Sequence, residues 1–297
     1  MTNSVKPPHI VTRFAPSPTG RLHIGHAWSA MMAMDYARRM GGEMRLRIED
    51  IDGTRSRAEH VVGIIEDLTW LGVTWDGAII CQSERLAYYD TALEQLKARG
   101  LVYPCFCTRA GIAAEIAASA SAPHGSDGPV YPGTCRALSD TERALRLETQ
   151  PCCWRLDMRH ALEAVDAPLR WFGEERGWME ADPTSAGDVV LARKDVPTSY
   201  HLAATLDDAA MGITYVLRGD DLRAATHIHR LLQALLGLPT PTYRHHGLLV
   251  DAHGRRLAKR DGGLMLAELR VAGVDPHTLA RDLRAGVFPV GISLRHA

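Results

Sequence analysis

Apolar positions recur along this chain with two periods, and the places where one period yields to the other predict its elements. Ile10-Val11-Thr12 with Phe14 has strand composition, and Pro16, Pro18 and Gly20 then interrupt regular structure. From Gly25 the spacing turns helical, through Trp28, Met31, Met32, Met34 and Ala37. Residues 43–48 alternate, with Met44, Leu46 and Ile48 on one face, and break at the acidic turn Glu49-Asp50-Ile51-Asp52-Gly53. Helical stripes follow over 57–71 (Val61, Ile64, Ile65, Leu68) and 85–99 (Leu86, Tyr89, Leu93, Leu96), with Trp70 and Trp75 as core and Gly100 as the stop.

From 105 to 195 the periodicity fades. An alanine- and serine-rich stretch, 113–122, leads into His124-Gly125-Ser126-Asp127-Gly128-Pro129, which reads as an exposed loop. Regular structure resumes near 187–191, with a helix over 200–208, a strand over 213–217, a helix over 224–236 and a strand over 247–250. Short helices at 264–271 and 276–285 close the pattern. The whole is α/β, in two halves separated by an irregular middle that reads as an insertion.

Composition narrows the class only a little. At 297 residues the chain can bury a full core, and length alone suggests two domains or one with an insertion. No apolar run is long enough to span a bilayer and no N-terminal segment resembles a signal peptide, so a cytoplasmic protein is expected, without a membrane partner. A net charge of −1 offers nucleic acid no global attraction; RNA would need a local basic surface. Only four of the 34 basic residues are lysine (Lys6, Lys97, Lys194, Lys259), which makes each lysine informative.

The densest chemistry lies at 13–26, R-F-A-P-S-P-T-G-R-L-H-I-G-H. A strand, a proline-punctuated turn and a helix that starts at His23 and His26 put backbone N–H groups and imidazoles at a helix N-terminus, where phosphate is attracted. The same histidines could instead be no more than caps. This ordered segment resembles the first signature of the class I aminoacyl-tRNA synthetases, specifically the glutamyl type. R-I-E-D-I-D-G-T-R resembles the same family's pattern, in which the glutamate, here Glu49, holds the substrate's ammonium; by spacing alone it is equally an acidic helix cap. Gly254-Arg255-Arg256-Leu257-Ala258-Lys259-Arg260 resembles the family's K-M-S-K-S loop, with arginine at the first lysine position and Ala258 at the serine position.

Six cysteines without a secretory signal point to metal or burial before disulfides. Cys105-Phe106-Cys107 with Cys135 supplies three thiolates of a tetrahedral zinc site. Here the resemblance narrows to the glutamyl-queuosine tRNA(Asp) synthetases, whose C-x-C and Y-x-x-x-C pairs fall on Cys105, Cys107, Tyr131 and Cys135. His124 is the chemically ordinary alternative to Tyr131, and reduced thiols without metal the alternative to the site. Cys152 and Cys153 read as core; Cys81 stands alone.

The resemblance implies a Rossmann-type parallel sheet, 1–104 and 196–260, split by a zinc-stapled RNA-binding insertion, 105–195, and followed by a short helical segment, 261–297, with no anticodon-binding domain. It implies adenylation of L-glutamate by ATP with Mg2+. His23, His26 and Lys259 would be catalytic; His23, Gly25, His26, Leu257 and Lys259 would bind ATP; Arg13, Phe14, Ala15, Pro16, Ser17, Glu49, Tyr200 and Arg218 would bind glutamate. The acceptor would be queuosine in tRNA(Asp), the zinc structural and the protein a monomer. A short glutamyl-tRNA synthetase charging a tRNA 3′ end, and a non-catalytic paralogue that binds glutamate or adenylate, are the competing expectations.

Overall fold

Val11–Phe14 (β1) is buried at all four positions, as a strand covered on both faces must be. A computed structural model describes residues 9–118, 124–125, 128–166, 168–257 and 264–295. After β1 come α1 (Ile24–Arg39), β2 (Glu43–Ile48), α2 (Ala58–Trp70), the short β3 (Ile80–Cys81) and α3 (Leu86–Ala98). β1, β2 and β3 are parallel neighbours, with Arg13 opposite Arg45 and Ile48 opposite Cys81.

The middle of the chain is more regular than its pattern suggests. β4 (Val102–Cys105) leads into α4 (Arg109–Ala118), where alanine favours helix. The expected loop at 124–129 contains a pair of two-residue strands, β5 (His124–Gly125) and β6 (Gly128–Pro129), while 126–127 lie outside the described residues. α5 (Asp140–Thr149) buries nothing and starts on a capping box between Ser139 and Glu142. Then follow β7 (Cys153–Leu156), α6 (Met158–Glu163), β8 (Arg170–Gly173), β9 (Gly177–Glu180) and β10 (Val190–Ala192). β4, β7 and β10 make an antiparallel sheet in the order β10-β7-β4.

The last third holds α7 (Tyr200–Ala210), β11 (Tyr215–Gly219), α8 (Arg223–Leu236), β12 (Thr242–His246), β13 (Leu248–Val250), α9 (Leu266–Val271), α10 (Pro276–Arg284) and β14 (Ser293–Arg295). β12 runs parallel to β11 on one side and to β8 on the other, and β9 turns back along β8. A backbone bond from Thr214 N–H to Val11 C=O, 3.0 Å, seats β11 beside β1. The strand order is then β3-β2-β1-β11-β12-β8-β9. Progression outward from β1 and from β11 runs in opposite directions, so the crevice between their carboxyl ends is a topological switch point, where open α/β sheets bind ligands.

One strand was not foreseen, and one expectation needs correction. β12 was hidden because Thr-Tyr-Arg-His-His is polar, yet His245 and His246 are buried. The C-terminal segment is not only helical, since β14 pairs antiparallel with β13. Its helices pack on the first half of the sheet: Leu266, Leu279 and Leu283 share a core with α1, β2 and α2. A second core joins α3, α7 and α8, and a third, small one surrounds Cys105, Tyr131 and Cys135. No helix among the described residues is long and apolar enough to cross a membrane.

Candidate active site

At the start of α1 the orphan N–H groups of the first turn are met by imidazoles. His23, the N-cap, accepts from Gly25 N–H through Nδ1 at 3.1 Å, and His26 Nδ1 accepts from His23 N–H at 3.1 Å. The rings lie 3.8 Å apart. Both nitrogens act as acceptors here, so in each neutral ring the hydrogen sits on Nε2. Gly25 follows from this geometry, because a Cβ there would stand 3.0 Å from the His23 ring. The histidines are therefore caps, as their plainest interpretation had it, and they cap at the rim of a cavity.

That cavity, of ≈480 Å³, opens at the switch point. From β1 and the turn after it come Arg13, Phe14, Ala15, Pro16 and Ser17; from the α1 start, His23, Gly25 and His26; from the end of β2, Glu49. Tyr200, the first residue of α7, and Arg218 of β11 close the second side, with Leu257 at the mouth. Every site residue expected for glutamate or ATP thus meets in one place, apart from Lys259, which lies outside the described residues. Both flanks of 258–263 are tied down nearby: Leu257 N–H bonds Leu249 C=O at 3.2 Å, and Ile24 N–H bonds Leu264 C=O at 3.0 Å. Arg256 pairs with Asp221 across the mouth at 2.5 Å.

The electrostatics of the walls are uneven. Arg13 is not an unengaged clamp: its Nε lies 3.2 Å from Asp208 and its Nη1 donates to Leu217 C=O at 3.1 Å. Asp208 also receives Arg47 Nη1 at 2.6 Å, and Arg47 Nη2 reaches Glu49 at 3.0 Å. Burial raises the Asp208 carboxyl, but Arg13 and Arg47 outweigh it and hold the group below its ordinary range. For Glu49 the balance goes the other way, and burial raises its pKa against the pull of Arg47. Arg218 is buried, 4% exposed, and among the described residues no carboxylate pairs with it. Its N–H groups go to uncharged acceptors: His245 Nε2 at 3.3 Å, Tyr200 Oη at 3.3 Å and Thr226 Oγ1 at 2.7 Å.

Asp208 and Arg47 were missed in the sequence. A signal was present, because Asp207-Asp208 interrupts the apolar run of α7, and consecutive buried acids call for partners. Asp207 binds Gln82, Arg85 and Tyr89, which fixes α7 against α3 and the turn before it, and lies 4.0 Å from Arg47.

Away from the cavity, Cys105, Cys107 and Cys135 hold their sulfurs within 4.8 Å of one another, a group that could bind a metal ion. Tyr131 Oη lies 3.4 Å from Cys105 Sγ and 3.5 Å from Cys107 Sγ, and Cys107 and Cys135 sulfurs are 3.4 Å apart. A tetrahedron with Zn–S of about 2.3 Å and Zn–O of about 2.0 Å has edges of about 3.5–3.8 Å, and these three separations lie at or just below that length. Burial and the adjacent thiols raise the Tyr131 pKa, so without metal its phenol stays protonated. A hydrogen bond from Cys153, with help from Tyr131 and Arg155, holds the Cys105 thiol below its ordinary range against burial. The side chain of His124, the alternative ligand, lies outside the described residues.

The family model described as tRNA synthetases class I (E and Q), catalytic domain, matches residues 9–293. A protein of Rhodobacter capsulatus named glutamyl-Q tRNA(Asp) synthetase is 49% identical over 280 residues, 92% of this chain and 99% of that protein. One of the same name from Symbiobacterium thermophilum is 44% identical, over 91% of this chain and 84% of its own. Among solved structures, a glutamate tRNA ligase from Elizabethkingia meningosepticum in complex with its amino acid is 31% identical with a TM-score of 0.71. It covers 85% of this chain, which in turn spans about half, 52%, of that one.

Proposed function

This chain belongs to the class I tRNA synthetases of the E and Q type, matched across the catalytic domain, and on that premise we propose that it activates L-glutamate with ATP, without tRNA, and transfers the glutamyl group to queuosine at the wobble position of tRNA(Asp). One observation carries the amino-acid half. A single cavity holds Arg218, a buried cation that no described carboxylate neutralises, and Glu49, a carboxylate that Arg47 only partly compensates. Glutamate brings an ammonium to the second and a carboxylate to the first, each as a charge-assisted hydrogen bond. Ser17 and Tyr200 hydroxyls orient it, the backbone of Phe14, Ala15 and Pro16 walls it, and Arg13 offers the second carboxylate a weaker site because Asp208 already answers its charge.

The α-carboxylate oxygen then attacks the α-phosphorus of ATP in line, and the bond to pyrophosphate breaks as the new P–O bond forms. The protein contributes positioning and charge stabilisation. His23, Gly25 and His26, at the positive end of α1, would receive the phosphates. Lys259, carried between anchors at Leu257 and Leu264, would neutralise the departing pyrophosphate. Among the described residues no cluster of carboxylates or histidines suited to a metal converges in the cavity, which suits magnesium arriving on the nucleotide with its waters. Zinc on Cys105, Cys107, Tyr131 and Cys135 would cross-link the end of β4 to the segment before α5, stiffening that part of 105–195, the region we assign to RNA apart from β8 and β9, which join the main sheet.

The acceptor rests on the Rhodobacter relative, which this chain matches over nearly its whole length. Glutamate-dependent ATP–pyrophosphate exchange without tRNA tests the first half-reaction; absence of exchange would refute it. Labelled glutamate incubated with ATP and tRNA(Asp), with and without queuosine, tests the second. Label that requires queuosine and survives 3′-end trimming is expected, and label on the 3′ end would instead mark a short glutamyl-tRNA synthetase.

A further inference from the structure

Three uncharged side chains converge on the inner side of Arg218, each from an element whose role above is only to form a wall. His245 stands opposite Arg218 in the β11–β12 register, and Thr226 and His229 come from the first two turns of α8. Arginine can only donate, so the nitrogens that face it must accept. His245 Nε2 receives Arg218 Nε–H at 3.3 Å and the Thr226 hydroxyl at 3.1 Å, while Thr226 Oγ1 receives Arg218 Nη2 at 2.7 Å. His229 Nδ1 receives Nη1 at 3.4 Å. The other ring nitrogens, His245 Nδ1 and His229 Nε2, are buried without a hydrogen-bond partner. Such rings are stable only uncharged, and burial followed by the Arg218 charge keeps them so, His245 down at about 2 and His229 well below its ordinary value.

A carboxylate at any of these positions would orient Arg218 just as well and would also neutralise it. We propose that His245, His229 and Thr226 are positioning residues that set selectivity for an acidic amino acid, because they fix the guanidinium while leaving its charge for the substrate's carboxylate to match. This inference rests on the assignment of Arg218 to glutamate, and specifically to its side-chain carboxylate, the group that glutamine lacks. Glutamine in the same pocket leaves a buried cation uncompensated, whereas glutamate does not.

Calorimetric binding and ATP–pyrophosphate exchange, each with glutamate and with glutamine, test the idea on His245→Glu, His245→Gln and His245→Leu. His245→Glu puts a counter-ion where Nε2 stood. Its KM for glutamate should rise about 100-fold or more with kcat changed far less, and its preference over glutamine should collapse towards unity. His245→Gln keeps an acceptor and no charge, and should stay within about threefold of the parent for both amino acids. His229→Asn and His229→Asp should repeat the contrast. If His245→Glu and His245→Leu lose activity alike, with the glutamate-to-glutamine ratio unchanged, the residue is merely structural and the proposal fails while the assignment of Arg218 stands. If the parent binds no glutamate, the assignment itself fails and takes the proposal with it.

Discussion

Asp208→Asn is the most demanding test of the charge balance beneath the cavity. The substitution keeps size and removes one negative charge that two guanidiniums share, Arg13 at 3.2 Å and Arg47 at 2.6 Å. Arg13 is 6% exposed and Arg47 fully buried, so neither can turn to water for compensation. Arg47 keeps Glu49 at 3.0 Å and Asp207 at 4.0 Å, so the charge left without a carboxylate is that of Arg13. Removing one partner of a buried ion pair costs about 3–5 kcal/mol, more than the pair contributes, because the orphaned charge stays desolvated. With an unfolding entropy of about 2.1 cal/mol/K per residue, a chain of this length should melt about 5–8 °C lower. Scanning calorimetry and urea titration of parent and variant measure it, and Asp208→Asn with Arg13→Met, which removes the orphaned charge, should recover at least half of the loss. The pH dependence has a defined sign. Asp208 lies below its unfolded value, so its contribution is complete above about pH 4 and is lost as pH falls through the folded pKa; the two melting curves should converge in acid. A drop of less than 1 °C at pH 7, or a gap that widens on acidification, would show that Asp208 does not hold these arginines.

Other outcomes follow from features described above. Below about pH 6.5 an unfolded histidine takes up a proton, whereas burial keeps His201 and His245 neutral in the fold down to about 4 and about 2. Stability should therefore be full above about pH 6.5 and fall towards pH 4, by up to about 1.4 kcal/mol per pH unit for each residue; a flat urea midpoint from pH 7 to 5 contradicts this. Purified protein should carry about one zinc per chain by atomic emission, and Cys135→Ser should lose it together with protease resistance of 105–166; a metal-free parent of unchanged stability would remove the site. His26→Ala and Lys259→Ala should each lower glutamate-dependent exchange by about 100-fold or more. Lys259→Ala should leave melting unchanged, while His26→Ala loses a cap and about 1 kcal/mol.

What the sequence made legible is what repeats with a short period or matches a contiguous motif. β1, α1 and β2 emerge from spacing, and 13–26 announces its own chemistry because consecutive residues carry it. The Ser139–Glu142 capping box at the start of α5 was equally local and was passed over amid a polar stretch. Three groups could not be read in this way. Asp208, Arg47 and His245 act through partners far apart in the chain, and only the fold brings them together. β12 carries a polar sequence in a buried strand, since the pairing of Arg218 with neutral imidazoles satisfies polarity that a pattern of hydrophobic alternation takes for surface. The β8–β9 hairpin joins the main sheet from inside the irregular middle because Gly173 sits beside Tyr243, a choice made by tertiary pairing.

The pairing of β13 with β14 also gives the cavity a remote support. Leu248 and Leu249 line the cavity that the motif-bearing turn at 13–26 lines too, and their strand is held in register by Ser293, Leu294 and Arg295. None of those three residues lines the cavity. A substitution that unpairs β14 therefore loosens one wall of the site without touching a residue that faces it.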